Sequence, residues 1–560
     1  MVAALRQLGL QKLTANNLAK RAPHNPVDWM LWGVAWLGVL AILGLPLLGL
    51  IPALSEGLSA NNGHLLWADS QTLPALKLTL FSAGISTAWS LFLACSLVFL
   101  FYPSRTWQRI QRQLPLFLAM PHAAFAIGLV FLLAPSGWLV RLITPLFTWT
   151  APPHWITTQD PYALSLTLAL VLKETWFLLW VLTSLLNQDW LLKQSLVAQS
   201  LGYGRWQIGW QILFPQLLRR LAWPLLAVFA YGLSVVDMAL IIGPSTPPTL
   251  AVLAWQWFTD PDPTQQLKAQ SLALLLIGLL LVGVALGYLA YWLFNKMLAT
   301  PTGRRNKLRT YSVFKLALSS LLSLPIWLAL FLLLLWSVAG SWFFPQIFPA
   351  NFSLNAWQQA DLVPFGTTIF IASCCVFIAL PLTLLWLEWG NKQQAWLYIP
   401  LIIPALPFTA AQYQIALVLD FDGNLAAVIW SHLAWVLPYM LLTLAGAYRN
   451  FDERFVLTAK TLAYKHWQAC LYIKWPMLIR PILGACAVGF AVSVAQYLPT
   501  LFIGGGRIET VTTEAVSLSA GGNRSNLAVQ AVLQALLPLI AFVFAASVSQ
   551  WLGRKHQGLK

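Results

Sequence analysis

The chain has 560 residues, of which 59% are hydrophobic and only 9% are charged, and its mean hydropathy is +0.70. This composition excludes a soluble globular protein and indicates a membrane protein with many spans. The formal net charge of +16 does not indicate nucleic-acid binding, because the basic residues are distributed by membrane side.

Twelve apolar stretches, each about 20 residues long and therefore able to cross the bilayer core, follow one another along the chain. In the first half they lie near 29–53, 74–102, 114–135, 162–186, 222–244 and 270–294. In the second half they lie near 316–340, 363–387, 396–419, 425–446, 482–504 and 528–552. The sequence thus predicts an all-α polytopic membrane protein with about 12 transmembrane helices.

The basic residues predict the topology. With the N-terminus in the cytoplasm, 27 of the 33 Lys and Arg residues fall on the cytoplasmic side, which predicts that both termini are cytoplasmic. The predicted units are a cytoplasmic N-terminal segment 1–28, a first repeat 29–295, a basic cytoplasmic linker 296–315, a second repeat 316–552 and a cytoplasmic tail 553–560. Because six spans return the chain to its starting side, the two six-helix repeats are parallel.

One segment of the sequence occurs in two similar copies. Residues 196–215 read LVAQSLGYGRWQIGWQILFP, and residues 457–476, 261 positions later, read LTAKTLAYKHWQACLYIKWP, with eight of twenty positions identical. The copies lie in the predicted cytoplasmic loops 187–221 and 448–481. Two amphipathic helices on the membrane surface would account for the mixture of polar and apolar residues, but they would not require the shared spacing.

That spacing resembles the cytoplasmic loop signature of the permease subunits of binding-protein-dependent ABC importers, which is Glu-Ala-Ala, three residues, Gly, nine residues and Ile-x-Leu-Pro. The matching positions are Ala198, Gly202, Ile212 and Pro215 in the first copy, and Ala459, Ile473 and Pro476 in the second. The chain departs from the signature at Leu196 and Leu457, where the family has its acidic residue, and at Ala463, where it has glycine. Two copies in one chain resemble the tandem-fused subgroup that includes thiamine and ferric-iron permeases.

The resemblance implies the type I ABC importer permease fold, in which each loop docks in a groove of a separate ATPase. Two ATPase copies would bind from the cytoplasm, and a periplasmic solute-binding protein would deliver substrate to a permease in the bacterial inner membrane. The candidate coupling residues are Ala198, Leu201, Gly202, Tyr203, Arg205, Trp206, Ile212, Pro215, Ala459, Leu462, Ala463, Tyr464, Trp467, Ile473 and Pro476. We expect four exposed aromatic residues to anchor the loops in the ATPase groove, with burial against the membrane surface as the alternative: Tyr203, Trp206, Tyr464 and Trp467.

A few polar residues lie within the predicted spans. Lys173, Glu174 and Asp237 are pathway candidates, because a charged side chain at the bilayer centre costs about 2.5–3.5 kcal/mol on insertion scales. Gln496 is a further candidate in the eleventh span. We expect Lys173 to pair with Asp237 or with another helix, and an ion pair with a purely structural role is the alternative. His122 and His432 are interpreted as helix-packing residues.

The usual catalytic motifs are absent from the sequence. It contains no GxxxxGK[ST] phosphate loop, no HExxH, no CxxC and no nucleophile elbow. We therefore expect a non-catalytic transport subunit, with no cofactor and no metal site, whose ATP is hydrolysed by a partner. An ion-gradient-driven secondary transporter of six plus six helices is the alternative, and it explains the repeat equally well but not the position of the repeated loop.

Overall fold

A computed structural model describes residues 26–57, 60–186, 189–297, 312–390 and 395–555. The predicted segment 1–28 lies mostly outside this description, and the linker 296–315 and tail 553–560 lie partly outside it. Within these ranges all regular secondary structure is helical, apart from one isolated β-bridge between Ala339 and Phe352. Ten of the described helices are long and apolar enough to cross a membrane, or 11 if one bent pair counts as a span. The all-α polytopic fold is confirmed.

Fourteen helices are described in the first half. They are α1 (Pro26–Val39), α2 (Leu45–Gly57), α3 (Ala60–Ala68), α4 (Thr72–Phe101), α5 (Arg105–Ala119), α6 (His122–Leu133), α7 (Trp138–Phe147), α8 (Leu164–Leu186), α9 (Asp189–Ser200), α10 (Arg205–Ile208), α11 (Phe214–Ser234), α12 (Asp237–Ile242), α13 (Leu250–Thr259) and α14 (Pro263–Met297). A π-helical turn, Leu40–Gly44, joins α1 to α2, and another, Gly209–Leu213, joins α10 to α11.

The second half follows the same order. Its helices are α15 (Ser312–Ser337), α16 (Asn355–Gln358), α17 (Val363–Trp389), α18 (Ala405–Val418), α19 (Leu425–Arg449), α20 (Arg454–Thr461), α21 (His466–Ala469), α22 (Trp475–Met477), α23 (Ile479–Val494), α24 (Leu498–Gly504), α25 (Val511–Ser519) and α26 (Arg524–Lys555). A 3₁₀ segment, Ala395–Leu401, precedes α18, and a π-helical turn, Cys470–Lys474, joins α21 to α22.

Two predicted spans are broken at prolines. The stretch near 114–135 is interrupted at Pro121, which caps the N-terminus of α6, and the stretch near 396–419 is interrupted at Pro404, which caps α18. The ψ angles of the two prolines are 152° and 134°, outside the helical range, and proline has no N–H with which the preceding helical hydrogen bonds could continue. The two breaks therefore occupy equivalent places in the repeats.

The spans after the repeated loops are broken as well. Helix α11 ends at Ser234 and α12 begins at Asp237, while α23 ends at Val494 and α24 begins at Leu498. The repeat therefore extends beyond the loop motif into the membrane. At these breaks the backbone leaves the helix, and Asp237 lies at the first of them.

The two halves interlock. Helix α1 packs against α17 and α2 packs against α18, so the first helices of the chain lie on the second half. The contacts are close: a Cβ added to Gly38 would lie 2.5 Å from Leu382 Cδ2, and one added to Gly49 would lie 2.8 Å from the carbonyl oxygen of Ala411. In the reverse direction α15 packs against α6 of the first half. Helices of each half therefore pack directly against helices of the other half.

Candidate functional site

The two repeated loops fold in the same way. In each, a first short helix (α9 or α20) is followed by a turn, a four-residue helix (α10 or α21) and a five-residue π-helical turn. The π-helical turns begin at Gly209 and Cys470, which are equivalent positions of the repeat. Because π-helical turns are rare and often mark functional places, their presence in both copies indicates a shared structural task.

The turn of each loop is a Schellman motif. The Tyr203 amide donates to the Ala198 carbonyl (3.1 Å) and the Gly202 amide donates to the Gln199 carbonyl (2.9 Å). In the second loop the Tyr464 amide donates to the Ala459 carbonyl (3.1 Å) and the Ala463 amide donates to the Lys460 carbonyl (3.1 Å). These bonds satisfy the last carbonyls of the helix, and the motif requires a left-handed residue at its C′ position.

Gly202 and Ala463 are those left-handed residues. Their φ angles are +87° and +65°. Glycine adopts this conformation without a steric penalty, whereas the Cβ of alanine makes it unfavourable by about 1 kcal/mol. The second loop therefore keeps the turn of the first loop despite lacking its glycine, and the strain is carried by Ala463.

Aromatic packing joins the first loop to the membrane helices. The ring of Phe99, at the end of α4, packs edge to face with three aromatic rings of the loop. The distances between ring centroids are 6.0 Å to Trp206, 5.6 Å to Trp210 and 6.3 Å to Phe214. A Cβ added to Gly209 would lie 2.1 Å from Phe99 Cγ, so only glycine fits there without a shift. Burial of these aromatic rings fixes the loop against α4.

Buried charges hold the second loop at the equivalent place. The Lys474 ammonium, in the π-helical turn, lies 2.7 Å from Glu388 Oε2 and 2.9 Å from Glu453 Oε1. Lys474 is completely buried and Glu388, at the end of α17, is 3% exposed. Tyr448 donates its hydroxyl to Glu388 (2.6 Å), and His466 Nε2 lies 2.9 Å from Glu388 Oε1. We call Glu388, Tyr448, Glu453, His466 and Lys474 the charged joint.

The charged joint includes atoms that could bind a metal. Ligand atoms of Glu388, His466 and Cys470 lie within 4.8 Å of one another. The Lys474 ammonium, however, already contacts the same carboxylate and supplies its positive charge. We therefore interpret the cluster as an ion-pair network, in which each buried charge has a partner.

The loops differ in how they continue into the membrane. The first loop runs from Arg205 to Ser234 as one helical stretch, whereas the axis of the second bends by 79° between Met477 and Ile479. Pro481 lies in the first turn of α23 and cannot donate a hydrogen bond to the carbonyl four residues earlier, which accounts for the bend.

The predicted coupling residues divide into a buried and an exposed set. Ala198 and Ala459 are buried, and their small side chains allow the loop helices to pack closely. Leu201 and Leu462 are 53% and 68% exposed. Tyr464 is exposed, but Tyr203, Trp206 and Trp467 are half-buried, so the expectation of four exposed aromatic anchors is wrong for three of them. Arg205 and Pro476 are exposed, and Ile212, Pro215 and Ile473 are half-buried.

The pathway candidates lie among both halves. The Lys173 ammonium donates to the carbonyls of Phe117 (3.0 Å) and Met120 (2.6 Å), next to the break at Pro121, so it pairs with another helix and not with Asp237. Glu174 is 6% exposed, and its Oε1 lies 3.5 Å from His122 Nε2. Gln496 is half-buried before α24.

The two histidines have different surroundings. His432 is 1% exposed, and its ring nitrogens lie 2.9 Å from the hydroxyls of Ser493 and Thr500, which confirms its packing role. His122 stacks on Tyr231 at 4.8 Å, and its side chain is 31% exposed. His122 is therefore part of a polar cluster and not simply a packing residue. Sequence reasoning missed this because its partners come from distant spans.

Removing Lys474 should destabilise the protein strongly. We expect Lys474→Leu to cost about 3–5 kcal/mol, because Glu388 would be left buried without a counter-charge. Glu388→Leu combined with Lys474→Leu should recover much of this loss, since leucine (Leu213) occupies the equivalent position of the first loop. The measurement is the thermal unfolding midpoint of the purified protein. Arg454→Leu, which removes an exposed cation from the same loop, is the control and should leave the midpoint unchanged. Equal midpoints for Lys474→Leu and Arg454→Leu would contradict the role of the charged joint.

Swapping alanine and glycine at the left-handed position should change the stability of the two turns in opposite directions. Ala463→Gly should strengthen the second turn and Gly202→Ala should weaken the first, each by about 1 kcal/mol, which corresponds to about fivefold in amide hydrogen exchange. The readouts are the Tyr464 amide, which should exchange more slowly, and the Tyr203 amide, which should exchange faster. Unchanged rates at both amides would show that the strain is not localised at these residues.

Comparison with known proteins gives the family. The chain is 39% identical over 544 residues to the inner membrane ABC transporter permease protein YnjC of Escherichia coli, covering 96% of this chain and 99% of that protein. It is 23% identical over 246 residues to the putative 2-aminoethylphosphonate transport system permease protein PhnV of Salmonella choleraesuis, which covers 41% of this chain and 91% of that protein.

A shorter match is to the spermidine/putrescine transport system permease protein PotC homolog of Mycoplasma pneumoniae, 27% identical over 141 residues, covering 25% of this chain and 48% of that protein. No protein-family model matches the chain. The match to YnjC spans almost the whole of both chains and therefore includes both repeated loops. The chain belongs to the permease proteins of ABC transporters.

Proposed function

We propose that this chain is the whole transmembrane part of an ATP-driven importer, with its two loops acting as docking sites for two copies of a cytoplasmic ATPase. The observation that carries the proposal is a set of exposed leucines at equivalent positions of both loops. Leu196 and Leu457 are 49% and 59% exposed, and Leu201 and Leu462 are more exposed still.

The leucines stand out because most of the repeat has diverged. Twelve of its twenty positions differ between the copies, yet both exposed leucine pairs are identical. Buried identities such as Ala198 and Ala459 follow from packing within the loop, but that packing leaves about half or more of each of these leucines uncovered. Covering a leucine side chain yields about 1.5–3 kcal/mol, so a protein partner that meets both loops accounts for their presence.

Movement of the loops would be transmitted through their attachments. On the first side the continuous helix from Arg205 to Ser234 would carry it into the membrane. On the second side the bend at Leu478 interrupts the helix, and the charged joint would carry the movement to α17 and α19 instead. Approach of the two ATPase copies on ATP binding would draw the loops together and open the pathway outward, and hydrolysis would reset it.

The remaining parts of the proposal follow from the family and the charge distribution. Both termini and both loops lie in the cytoplasm, the chain resides in the bacterial inner membrane, and a periplasmic solute-binding protein delivers substrate at the outer face. The pathway passes between the halves at Lys173, Glu174, Asp237 and Gln496, and ATP is hydrolysed by the partner and not by this chain. An ion-gradient-driven transporter would need no exposed leucines on these loops.

The docking role is tested by replacing the leucines at the loop tips. Leu201→Ser together with Leu462→Ser should lower co-purification of the ATPase subunit more than tenfold, because two buried leucine contacts of about 1.5 kcal/mol each would be lost. The control is Leu354→Ser, which removes an exposed leucine far from the loops. Full retention of the ATPase by the double variant would overturn the proposal.

A further inference from the structure

A groove of about 630 Å³ lies on the second half, where the first turns of α17 and α19 meet the segment after α24. Val363 and Leu425 are the first residues of these two helices, and both line the groove. Helix α17 is a candidate membrane span that carries Glu388 of the charged joint near its other end, so the groove lies at the end of the span remote from the second repeated loop. Ligand sites in proteins have volumes of about 300–1,000 Å³, and the groove falls within this range.

Hydrogen bonds fix the walls of the groove. The Val511 amide donates to the Thr368 hydroxyl (2.9 Å) and holds the segment after α24 against α17. The Gly423 amide donates to the Ile503 carbonyl (2.8 Å) and holds the turn before α19 against α24. Because each wall is bonded to its neighbour, the groove is a preformed feature of the fold, as ligand sites usually are.

Arg507 is held at the rim of the groove. Gly505 and Gly506 have φ angles of +56° and +70°, which glycine adopts without a steric penalty, and they turn the chain back after α24. The Arg507 guanidinium then lies against Gly423, where an added Cβ would be 3.0 Å from its Nη1 atom. In the described part of the chain no carboxylate forms an ion pair with this guanidinium, so its positive charge is available to a ligand.

An exposed apolar stripe leads from the groove along the membrane span. Val363, Phe370 and Phe377 are spaced seven residues apart on α17, so they lie on one face of the helix, and all three are exposed. The first two line the groove. At a rise of about 1.5 Å per residue the stripe is about 21 Å long, which exceeds the hydrocarbon depth of one leaflet, about 15 Å. The stripe is therefore long enough for an acyl chain to lie along it.

The charges at the rim select the headgroup. Arg507 and Glu509 both line the groove, so one cation and one carboxylate face the same space. A guanidinium binds a phosphate through paired, charge-assisted hydrogen bonds, and a carboxylate accepts hydrogen bonds from an ammonium group. A zwitterionic headgroup with a phosphate and an ammonium satisfies both groups. An anionic headgroup would be repelled by Glu509, and a soluble protein would not reach the part of the stripe that lies within the membrane.

We propose that this groove is a binding site for one zwitterionic phospholipid, with its phosphate on Arg507, its ammonium on Glu509 and an acyl chain along the apolar stripe of α17. The bound lipid would cover the stripe and join α17, α19 and the segment after α24 at this membrane boundary. The inference does not depend on the proposed transport function, because lipid binding requires neither the ATPase nor a binding protein.

The test is native mass spectrometry of the delipidated full chain, with dioleoylphosphatidylethanolamine or dioleoylphosphatidylglycerol added. One phosphatidylethanolamine should stay bound at collision energies that remove phosphatidylglycerol. Arg507→Gln should weaken this retention about tenfold, since a charge-assisted contact with the phosphate is lost. Glu509→Gln should shift the preference towards phosphatidylglycerol, an effect that a purely structural role of Glu509 would not produce.

Gly366→Phe should abolish the retained lipid, because Gly366 lines the groove and a side chain added there enters open space. The matched control is Gly287→Phe, which adds the same side chain to an exposed, equally open position on α14 of the first half and should leave retention unchanged. Equal retention by the unaltered chain and by Gly366→Phe would indicate annular lipid only and overturn the inference, as would equal retention of the two lipids by the unaltered chain. If Gly366→Phe does not fold, an unchanged lipid preference in both Arg507→Gln and Glu509→Gln would overturn it instead.

Discussion

The attachment of each repeated loop to the membrane helices is the constraint on which the rest of the structure depends. Two different interactions provide this attachment. In the first half Phe99 packs on Gly209, and in the second half the buried pair Lys474–Glu388 occupies the equivalent place. Aromatic packing tolerates small shifts of the rings, whereas a buried ion pair fixes its geometry because separating the charges is costly. The two loops are thus alike in fold and different in mechanics.

This difference between the two attachments agrees with the course that the chain takes after each loop. The first loop continues as a straight helical stretch, so apolar packing suffices to hold it in position. The second loop turns by 79° before it enters the membrane, and a bend of that size would dissipate movement unless the loop were also fixed to its neighbours. Lys474 supplies this fixation, because it joins the loop to α17 through Glu388 and to the start of α20 through Glu453.

Much of this arrangement could be predicted from the sequence. Hydropathy located most spans, and the spacing of Ala198, Gly202 and Pro215 predicted the loop and its family. The breaks at Asp237 and Leu498 were not predicted, because the flanking residues are apolar and hydropathy does not distinguish a continuous span from an interrupted one. The charged joint was also missed, because its members, such as Glu388 and Lys474, are far apart in sequence and only folding brings them together.

The most direct test of the account is the distance between the loop tips during the ATPase cycle. Spin labels on unnatural amino acids at positions 200 and 461, which are exposed and equivalent in the two loops, would report it by pulsed electron resonance in the complex with the ATPase. The account predicts that the distance shortens when ATP binds and recovers after hydrolysis. A distance that stays the same with and without nucleotide would contradict it.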